Sequence, residues 1–369
     1  MSLPLTPLAE ALPASVPFVG PESQERARGA LFRARVGANE SVFGPSPRAI
    51  EAMAAAARDV WMYGDPENHN LREALAAHHG IAADRIAVDG GIDSLLGLTV
   101  RLMVEPGTAV VTSAGAYPTF NYHVAGFGGR LITVPYRDDH EDPDALIAAA
   151  AQHGARLVYL ANPDNPMGTC HGAARIEAML DALPEGAVLC LDEAYVEFAP
   201  EGTAPPLSLE HPRLLRFRTF SKAYGMAGAR VGYVIGTPDA ASAYNKVRNH
   251  FGMCRISQAG ALAALGDPAH LADVLRHVAA AKETIGAIAN RHGLTALPSA
   301  TNFVAVDTGR DGAFATALMK ALAAEGVFVR MPFVAPQNRC IRISAGTAAD
   351  LSLVDEALGR FLAALNTSA

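Results

Sequence analysis

The chain has 369 residues, half of them hydrophobic, enough for a large α/β domain and a smaller companion. Its formal charge of −7 excludes the broadly basic surface of a generic nucleic-acid or anionic-membrane binder. Cys170, Cys190, Cys254 and Cys340 lie far apart with no CxxC pair, which argues against a disulfide framework or a zinc site and for the reduced thiols of a cytoplasmic protein.

The first stretch, "MSLPLTPLAEALPASVPF", has no basic leader and no long apolar run, because prolines and Glu10 interrupt it. It reads as an untargeted arm. Residues 1–50 have too little periodicity to fold alone and are expected to pack on the C-terminal unit or on a partner. From about residue 86, short β-rich runs alternate with helical patterns. "RIAV", "AVVTS", "RLITVPY", "RLVYLAN", "AVLCLDEAY", "LLRFRTF" and "RVGYVIG" read as strands. "IDSLLGLTVRLMV", "DPDALIAAAAQHG" and "AARIEAMLDALPEG" read as the helices between them. Near-continuous hydrophobic strands imply a sheet covered on both faces, and the alternation implies mostly parallel strands. This large domain is expected over residues 51–255. Beyond it, Ala-rich helices, "NFVAVDT", a helix, "VFVRM", "CIRISAG" and a final helix read as a smaller α/β domain over 256–369.

In an open α/β sheet, ligands sit outside the carboxyl ends of the strands. Polar residues cluster at those ends here. "VYLANPDNPMGT" enters a turn rich in Asn and Pro, "VLCLDEAY" carries Asp192 and Tyr195, and "LLRFRTFSK" ends in Thr219, Ser221 and Lys222. "AVDGGIDSLL" places Gly90 and Gly91 where a strand opens a helix, a ready anion site. These parts suit pyridoxal phosphate (PLP), which needs a lysine for its aldehyde, a carboxylate for its ring nitrogen and a phosphate cradle. Lys222 supplies the amine and Asp192 the carboxylate. Gly91, Ile92, Thr219, Ser221 and Arg230 form the cradle, while Asn165 and Tyr195 hydrogen-bond the ring oxygen. Each residue also has a plain reading: a surface lysine, an Asx turn at Asn165, a core aromatic at Tyr195, an ion-pair arginine at Arg230. His78 and His79 are adjacent on a helix and do not share a face, so no metal site is expected there.

The ordered set "NPDNPMGT", "DEAYVEF", "RTFSKAYGMAGARVGY" and "IRISAGT" resembles fold-type I PLP-dependent aminotransferases. "ANESVFGPSP", "YGDPENHNLREALA" and "KVRNHF" resemble their histidinol-phosphate aminotransferase branch. The resemblance runs from about residue 30 to the end. It implies that Lys222 is the cofactor's lysine and the proton carrier, that Asp192 is its pyridine partner, and that Tyr195 assists. It further implies that Tyr63 reaches the phosphate of a neighbouring subunit in a homodimer, and that Arg342 and Arg330 hold the substrate's anionic end. The ring-stacking aromatic is expected from "AYPTFNYHVAG", at Tyr122.

Three stretches depart from the branch. Phe18 stands where a phosphate-binding tyrosine is usual. "RNHFGMCRIS" introduces His250, Met253, Cys254 and Arg255 near the expected substrate pocket. Asp164 and Met167 stand where Asn and Thr are commoner. The expected reaction moves an amino group from histidinol phosphate, or from an aromatic or hydrophobic amino acid, to 2-oxoglutarate. With Phe18 in place of the tyrosine, histidinol phosphate is expected to fit less well than in the branch at large. The alternatives are a PLP-dependent decarboxylase of a phosphorylated amino acid, similar to threonine phosphate, and a non-catalytic PLP-fold module. A dinucleotide-dependent dehydrogenase would need a strand–GxGxxG–helix unit, and none is present.

Overall fold

The computed structural model describes residues 3–14 and 19–367. Phe18 therefore lies outside the described residues. The chain opens with helices α1 (Pro7–Ala11) and α2 (Pro21–Arg28), strand β1 (Ala34–Arg35) and helices α3 (Pro47–Ala56) and α4 (His69–His79). A repeating region follows: β2 (Ile86–Asp89), α5 (Ile92–Met103), β3 (Ala109–Ser113), α6 (Pro118–Gly126), β4 (Arg130–Val134), α7 (Pro143–His153), β5 (Leu157–Ala161), α8 (Ala173–Asp181), β6 (Val188–Asp192), β7 (Leu214–Thr219), β8 (Gly232–Ile235) and α9 (Pro238–Ala243). Then come α10 (Arg255–Leu265), α11 (Pro268–Arg291), β9 (Thr295–Ala296), β10 (Phe303–Asp307), α12 (Gly312–Ala324), β11 (Val327–Phe328), β12 (Cys340–Ser344) and α13 (Ala348–Thr367).

The large sheet runs β2-β8-β7-β6-β5-β3-β4. Its strands are parallel except β8, which is antiparallel to both neighbours. Side chains alternate across the pleat. Val110, Tyr159, Cys190 and Phe217 face α5 and α6, where they meet Leu95, Val100 and Phe120. Val111, Val158, Leu160, Leu189 and Leu191 face α7 and α8, where they meet Leu146, Ala150, Ile176 and Leu180. Burial on both faces explains why these strands read as unbroken apolar runs. The helices between them carry local signals. In α7, Asp142 accepts from the amides of Asp144 and Ala145, Pro143 opens the first turn, and Gly154 closes the last in the left-handed region.

The smaller sheet is antiparallel, with β10 between β12 and β9. Its core draws on α11, α12 and α13 and also takes Ala34 and Val36 from the start of the chain. β1 pairs in parallel with β11. Helix α10 departs from the expected boundary at residue 256. Its Ala261 and Ala264 share a core with Leu71 and Leu75 of α4 and with Ile86 and Val88 of β2. The second unit thus starts at α11, after Gly266 and Asp267. An Ala-rich helix looks alike in sequence whichever core it joins.

One buried ionic cluster joins β6 to β7. Glu193, 1% exposed, follows the last residue of β6. It accepts from Arg216 Nη2 at 2.6 Å and from Arg218 Nε at 2.8 Å, both arginines lying on β7 and buried. Arg216 also donates to the carbonyls of Pro205 and Pro206. Removing the acid strands two desolvated cations, so Glu193→Ala is expected to cost about 3–5 kcal/mol in urea unfolding. A loss below about 1 kcal/mol would show that the cluster does not hold the strands together.

Candidate active site

A cavity of about 380 Å³ opens at the carboxyl ends of β5, β6 and β7 and at the start of α5. Residues 20–22 and 38–40 line it from the N-terminal segment, and Arg342 lines it from β12. Ligand pockets of this size fit at such a sheet edge.

Lys222 sits half-buried in the turn after β7, its Nζ 5.6 Å from the centre of the Tyr195 ring. That turn returns through a single 3-10 turn at Ala227–Ala229, and Arg230 itself is left-handed, with φ of 53°. This bend brings the Arg230 guanidinium to Ser221 Oγ at 3.5 Å and to the Ala227 carbonyl at 3.0 Å. Thr219 Oγ1 donates to Ser221 Oγ and accepts from the Ser221 amide. On the facing side, Gly91 caps α5 with φ of +95°, and a Cβ there would lie 2.5 Å from Arg230 Nη2. A Cβ on Gly232 would in turn meet the Gly91 carbonyl carbon at 2.7 Å. Two glycines therefore keep a guanidinium, hydroxyls and the first free amides of a helix around one point, a cradle for an anion.

Asp192 ends β6 and is 5% exposed. Tyr159 Oη donates to its Oδ2 at 2.7 Å, and the Ala194 amide donates to its Oδ1 at 2.9 Å. Burial pushes this carboxyl up to about 6, while both hydrogen bonds and Lys222 oppose the rise. A protonated pyridine nitrogen is the partner such an acid lacks.

Asn39 Nδ2 donates to Tyr195 Oη at 2.8 Å. Asn39 is held by the Asn302 side chain at its carbonyl and by Ser344 at its amide. Arg342, 8% exposed, donates through Nη1 to Asn165 Oδ1 and lies 5.1 Å from the Phe303 ring centre. Its Nε is buried with no hydrogen-bond partner among the described residues. Burial lowers its pKa, but a guanidinium stays charged, so this donor suits an arriving anion. Arg330 and Arg342 pair across an isolated antiparallel bridge and line a shallow adjoining pocket with Asn165 and Tyr117. Burial lowers Arg330 to about 10, and the Arg342 charge adds to the effect.

The structure brings Lys222, Asp192, Tyr195, Asn165, Thr219, Ser221, Ile92, Arg230 and Arg342 to the cavity wall, with Gly91 behind Arg230. It does not bring Tyr122 there. Tyr122 is 43% exposed on α6, one turn past the residue that lines the cavity, Tyr117. Tyr117 Oη donates to Asp93 Oδ1 at 2.8 Å, and Asp93 stands 3.6 Å from Arg230. Residues 118–126 form helix α6 directly after Tyr117, which turns Tyr122 outward. The substituted stretch at 250–255 is likewise away from this chain's cavity. Met253 is core, Arg255 donates to the Tyr63 carbonyl, and Phe251 packs on Tyr63 with ring centres 4.8 Å apart. Tyr63 is 77% exposed. Asp164 is buried beneath the site, accepting from Tyr136 Oη and the Met167 amide, and burial lifts it to about 7. Met167 docks on Ala305 and Cys340 of the second unit.

Sequence reasoning missed Asn39, Tyr159, Tyr117 and Asp93. Asn39 stands in "ANES", where no local pattern marks it, and its role comes from Tyr195. Tyr159 needed the β5–β6 register, which pairs it with Cys190, two positions before Asp192.

An open α/β sheet with a lysine, a buried carboxylate and an anion cradle at its edge suits a fold-type I PLP enzyme. The sequence matches the family model for aminotransferase class I and II over residues 35–361. It is similar to the histidinol-phosphate aminotransferase of an Anaeromyxobacter species, 35% identical over 353 residues, covering 93% of this chain and 94% of that one. It is also similar to histidinol-phosphate aminotransferase 2 of Ralstonia nicotianae, at 36% identity, 89% of this chain and 90% of that one. The crystal structure of the Sinorhizobium meliloti histidinol-phosphate aminotransferase in complex with PLP superposes with a TM-score of 0.95, at 54% identity and 98% coverage of both chains. The chain belongs to the class I and II aminotransferases and is a PLP-dependent aminotransferase. No helix among the described residues is long and apolar enough to cross a membrane.

The Asp192 carboxyl yields a signed prediction. In the cofactor-free protein its pKa rises from 3.8 to about 6 on folding. The folded state then favours the neutral acid, so stability falls as pH rises from about 4 to about 6, by roughly 3 kcal/mol, and stays lower above that. Cofactor-free Asp192→Asn is expected to lack this component. Its stability relative to the parent should rise across that window in urea titrations and level off above it. On the assignment of Asp192 to the ring nitrogen proposed below, the same variant should bind PLP at least about tenfold more weakly.

Proposed function

We propose that this aminotransferase takes its amino group from histidinol phosphate and delivers it to 2-oxoglutarate. The supporting observation is the Arg342–Arg330 pair beside Asn165, with the unpartnered Arg342 Nε in the cavity wall. One cationic subsite accommodates the phosphate of the donor and the distal carboxylate of the acceptor in turn. The three relatives described above are named histidinol-phosphate aminotransferases, which supports the donor.

PLP supplies the aldehyde that captures the donor amine and the protonated ring that draws electrons from the α-carbon. The protein supplies the rest. Asp192 would keep the ring nitrogen protonated, and Tyr159 and the Ala194 amide hold Asp192 in place. Thr219, Ser221, Arg230 and the start of α5 would hold the phosphate. Tyr117, on the cavity wall, would supply the aromatic surface beside the ring. Asn165 and Tyr195 would hydrogen-bond the ring oxygen, with Tyr195 oriented by Asn39. Lys222 Nζ takes the proton from the donor α-carbon and later returns one. Lys222→Ala is expected to lower kcat by at least about 10²-fold with cofactor bound. Arg342→Lys, which keeps charge but loses the forked donor, should cut kcat/KM for histidinol phosphate and 2-oxoglutarate alike, by about tenfold or more, mainly through KM.

A second reading has its own support. Glu22 and Glu40 line the same cavity; Arg35 pairs with Glu22 at 2.6 Å and stands 4.0 Å from Glu40, leaving one net negative charge that disfavours a phosphate dianion nearby. An aromatic or other hydrophobic amino acid, with one carboxylate, meets less repulsion. Measured kcat/KM for histidinol phosphate and phenylalanine separates the two. A preference of about 10²-fold or more for histidinol phosphate supports the first reading, and parity or a reversed order supports the second.

Two copies are expected to associate through the exposed patch of Trp61, Tyr63 and Phe251, which are 80%, 77% and 52% exposed. Sedimentation of the parent should give a dimer, and Trp61→Asp should shift it toward monomer.

A further inference from the structure

A second cavity, of about 440 Å³, shares no lining residue with the catalytic one. Its floor is the outer edge of β2 at Ile86, Ala87 and Val88, and β2 is the end strand of the large sheet. Its walls are Glu67 and Asn68, just before α4, Arg72 on α4, and Pro238, Asp239, Ser242, Asn245 and Arg248.

Three features mark it as a site. Arg72 spends Nε and Nη2 on the carbonyls of Ile86 and Ala83. Arg248 spends Nε on Asn245 Oδ1 and Nη2 on the Pro66 carbonyl. Each guanidinium keeps an Nη1 with no hydrogen bond among the described residues. Neither has a carboxylate oxygen within 4 Å among those residues, so two cations share one cavity wall with no ion pair. Burial pushes Arg248 down, with the Arg72 charge adding and Asp89 opposing. The third feature is independent. Asn68 is 4% exposed, and its Oδ1 is buried without a hydrogen-bond partner among the described residues. It is not engaged as the helix cap, because Asp65 accepts the Glu67 and His69 amides instead. A buried acceptor left unpaired costs about 1–3 kcal/mol, which an N–H donor in the cavity would recover. Glu67, Asp84 and Asp239 complete the wall with negative charge.

We propose that this cavity binds a small zwitterion of the α-amino acid class. The anionic group lies on Nη1 of Arg72 and Arg248, and the ammonium group lies between Asn68 Oδ1 and the carboxylates. An anion alone satisfies the arginines and leaves Asn68 unpaired.

The test uses holoenzyme with its cofactor in the aminated form, which cannot condense with an amine. L-Alanine, L-phenylalanine and inorganic phosphate are titrated by calorimetry while the cofactor absorbance is followed. Binding in the catalytic cavity moves the cofactor band, whereas binding in the second cavity releases heat with the band unchanged. The expected result is such a silent event for an amino acid, at least tenfold tighter than for phosphate. Arg248→Met should weaken it at least tenfold. Ser242→Trp, which fills the cavity and leaves the Arg248–Pro66 contact in place, should abolish it. Phosphate binding as tightly as the amino acids overturns the zwitterion assignment. A silent event unchanged in Ser242→Trp, or absent from the parent, overturns the site.

Discussion

The Glu193 clamp fixes the relation between two neighbouring strand ends, and the chemistry depends on that relation. Asp192 immediately precedes Glu193, and Lys222 follows the strand that carries Arg216 and Arg218. A parallel pair has no hairpin to set its register. Here a buried acid bridges to two arginines at alternate positions of β7, so a slip of one residue would turn both cations to the other face. The register Asp192↔Phe217 then places the buried Asp192 carboxylate beside the turn that carries Lys222. Buried ion pairs add little net stability as a rule, and their best-attested use is to specify arrangement.

Two desolvated charges of opposite sign are built into the cavity and left partly unanswered. Asp192 is lifted toward neutrality by burial, which its two hydrogen bonds and the Lys222 charge offset only in part. Arg342 is equally buried and lacks an acceptor at Nε. Both are unfavourable in the empty protein, and both are relieved by a molecule that is cationic at its ring nitrogen and followed by an anionic substrate. The site thus stores part of its binding energy as incomplete solvation, in the manner expected of preorganised polar groups. The second unit contributes directly, since β12 carries Arg342 and residues 38–40 are pinned by Asn302 and Ser344.

Much of this was legible in the residues. The strands of the large sheet were readable because burial on both faces leaves apolar runs that no amphipathic helix shows. Lys222, Asp192, Thr219, Ser221 and Arg230 were readable because they cluster at strand ends within short quoted stretches. Tyr122 was misjudged because Tyr117 ends its loop and α6 begins one residue later, and only the helix start decides which aromatic faces inward. The stretch at 250–255 lies away from this chain's cavity: Phe251 packs on Tyr63 and Met253 enters the core beneath. Asn39 carried no local signal, since its role comes from Tyr195, which lies 156 residues away.

The sequence by itself determined the alternation of strand and helix, the family, and a lysine, a carboxylate and an anion cradle that suit the cofactor. These follow from short-range patterns, in which a residue's chemistry and its place at a strand end are read together. Only the tertiary structure decided that α10 belongs with α3 and α4, that Asn39 orients Tyr195, that Tyr159 supports Asp192, and that Arg72, Arg248 and Asn68 face one cavity. Each of these joins side chains through a strand register, a shared core or a pocket wall. Such relations depend on distances in space that one-dimensional spacing does not contain.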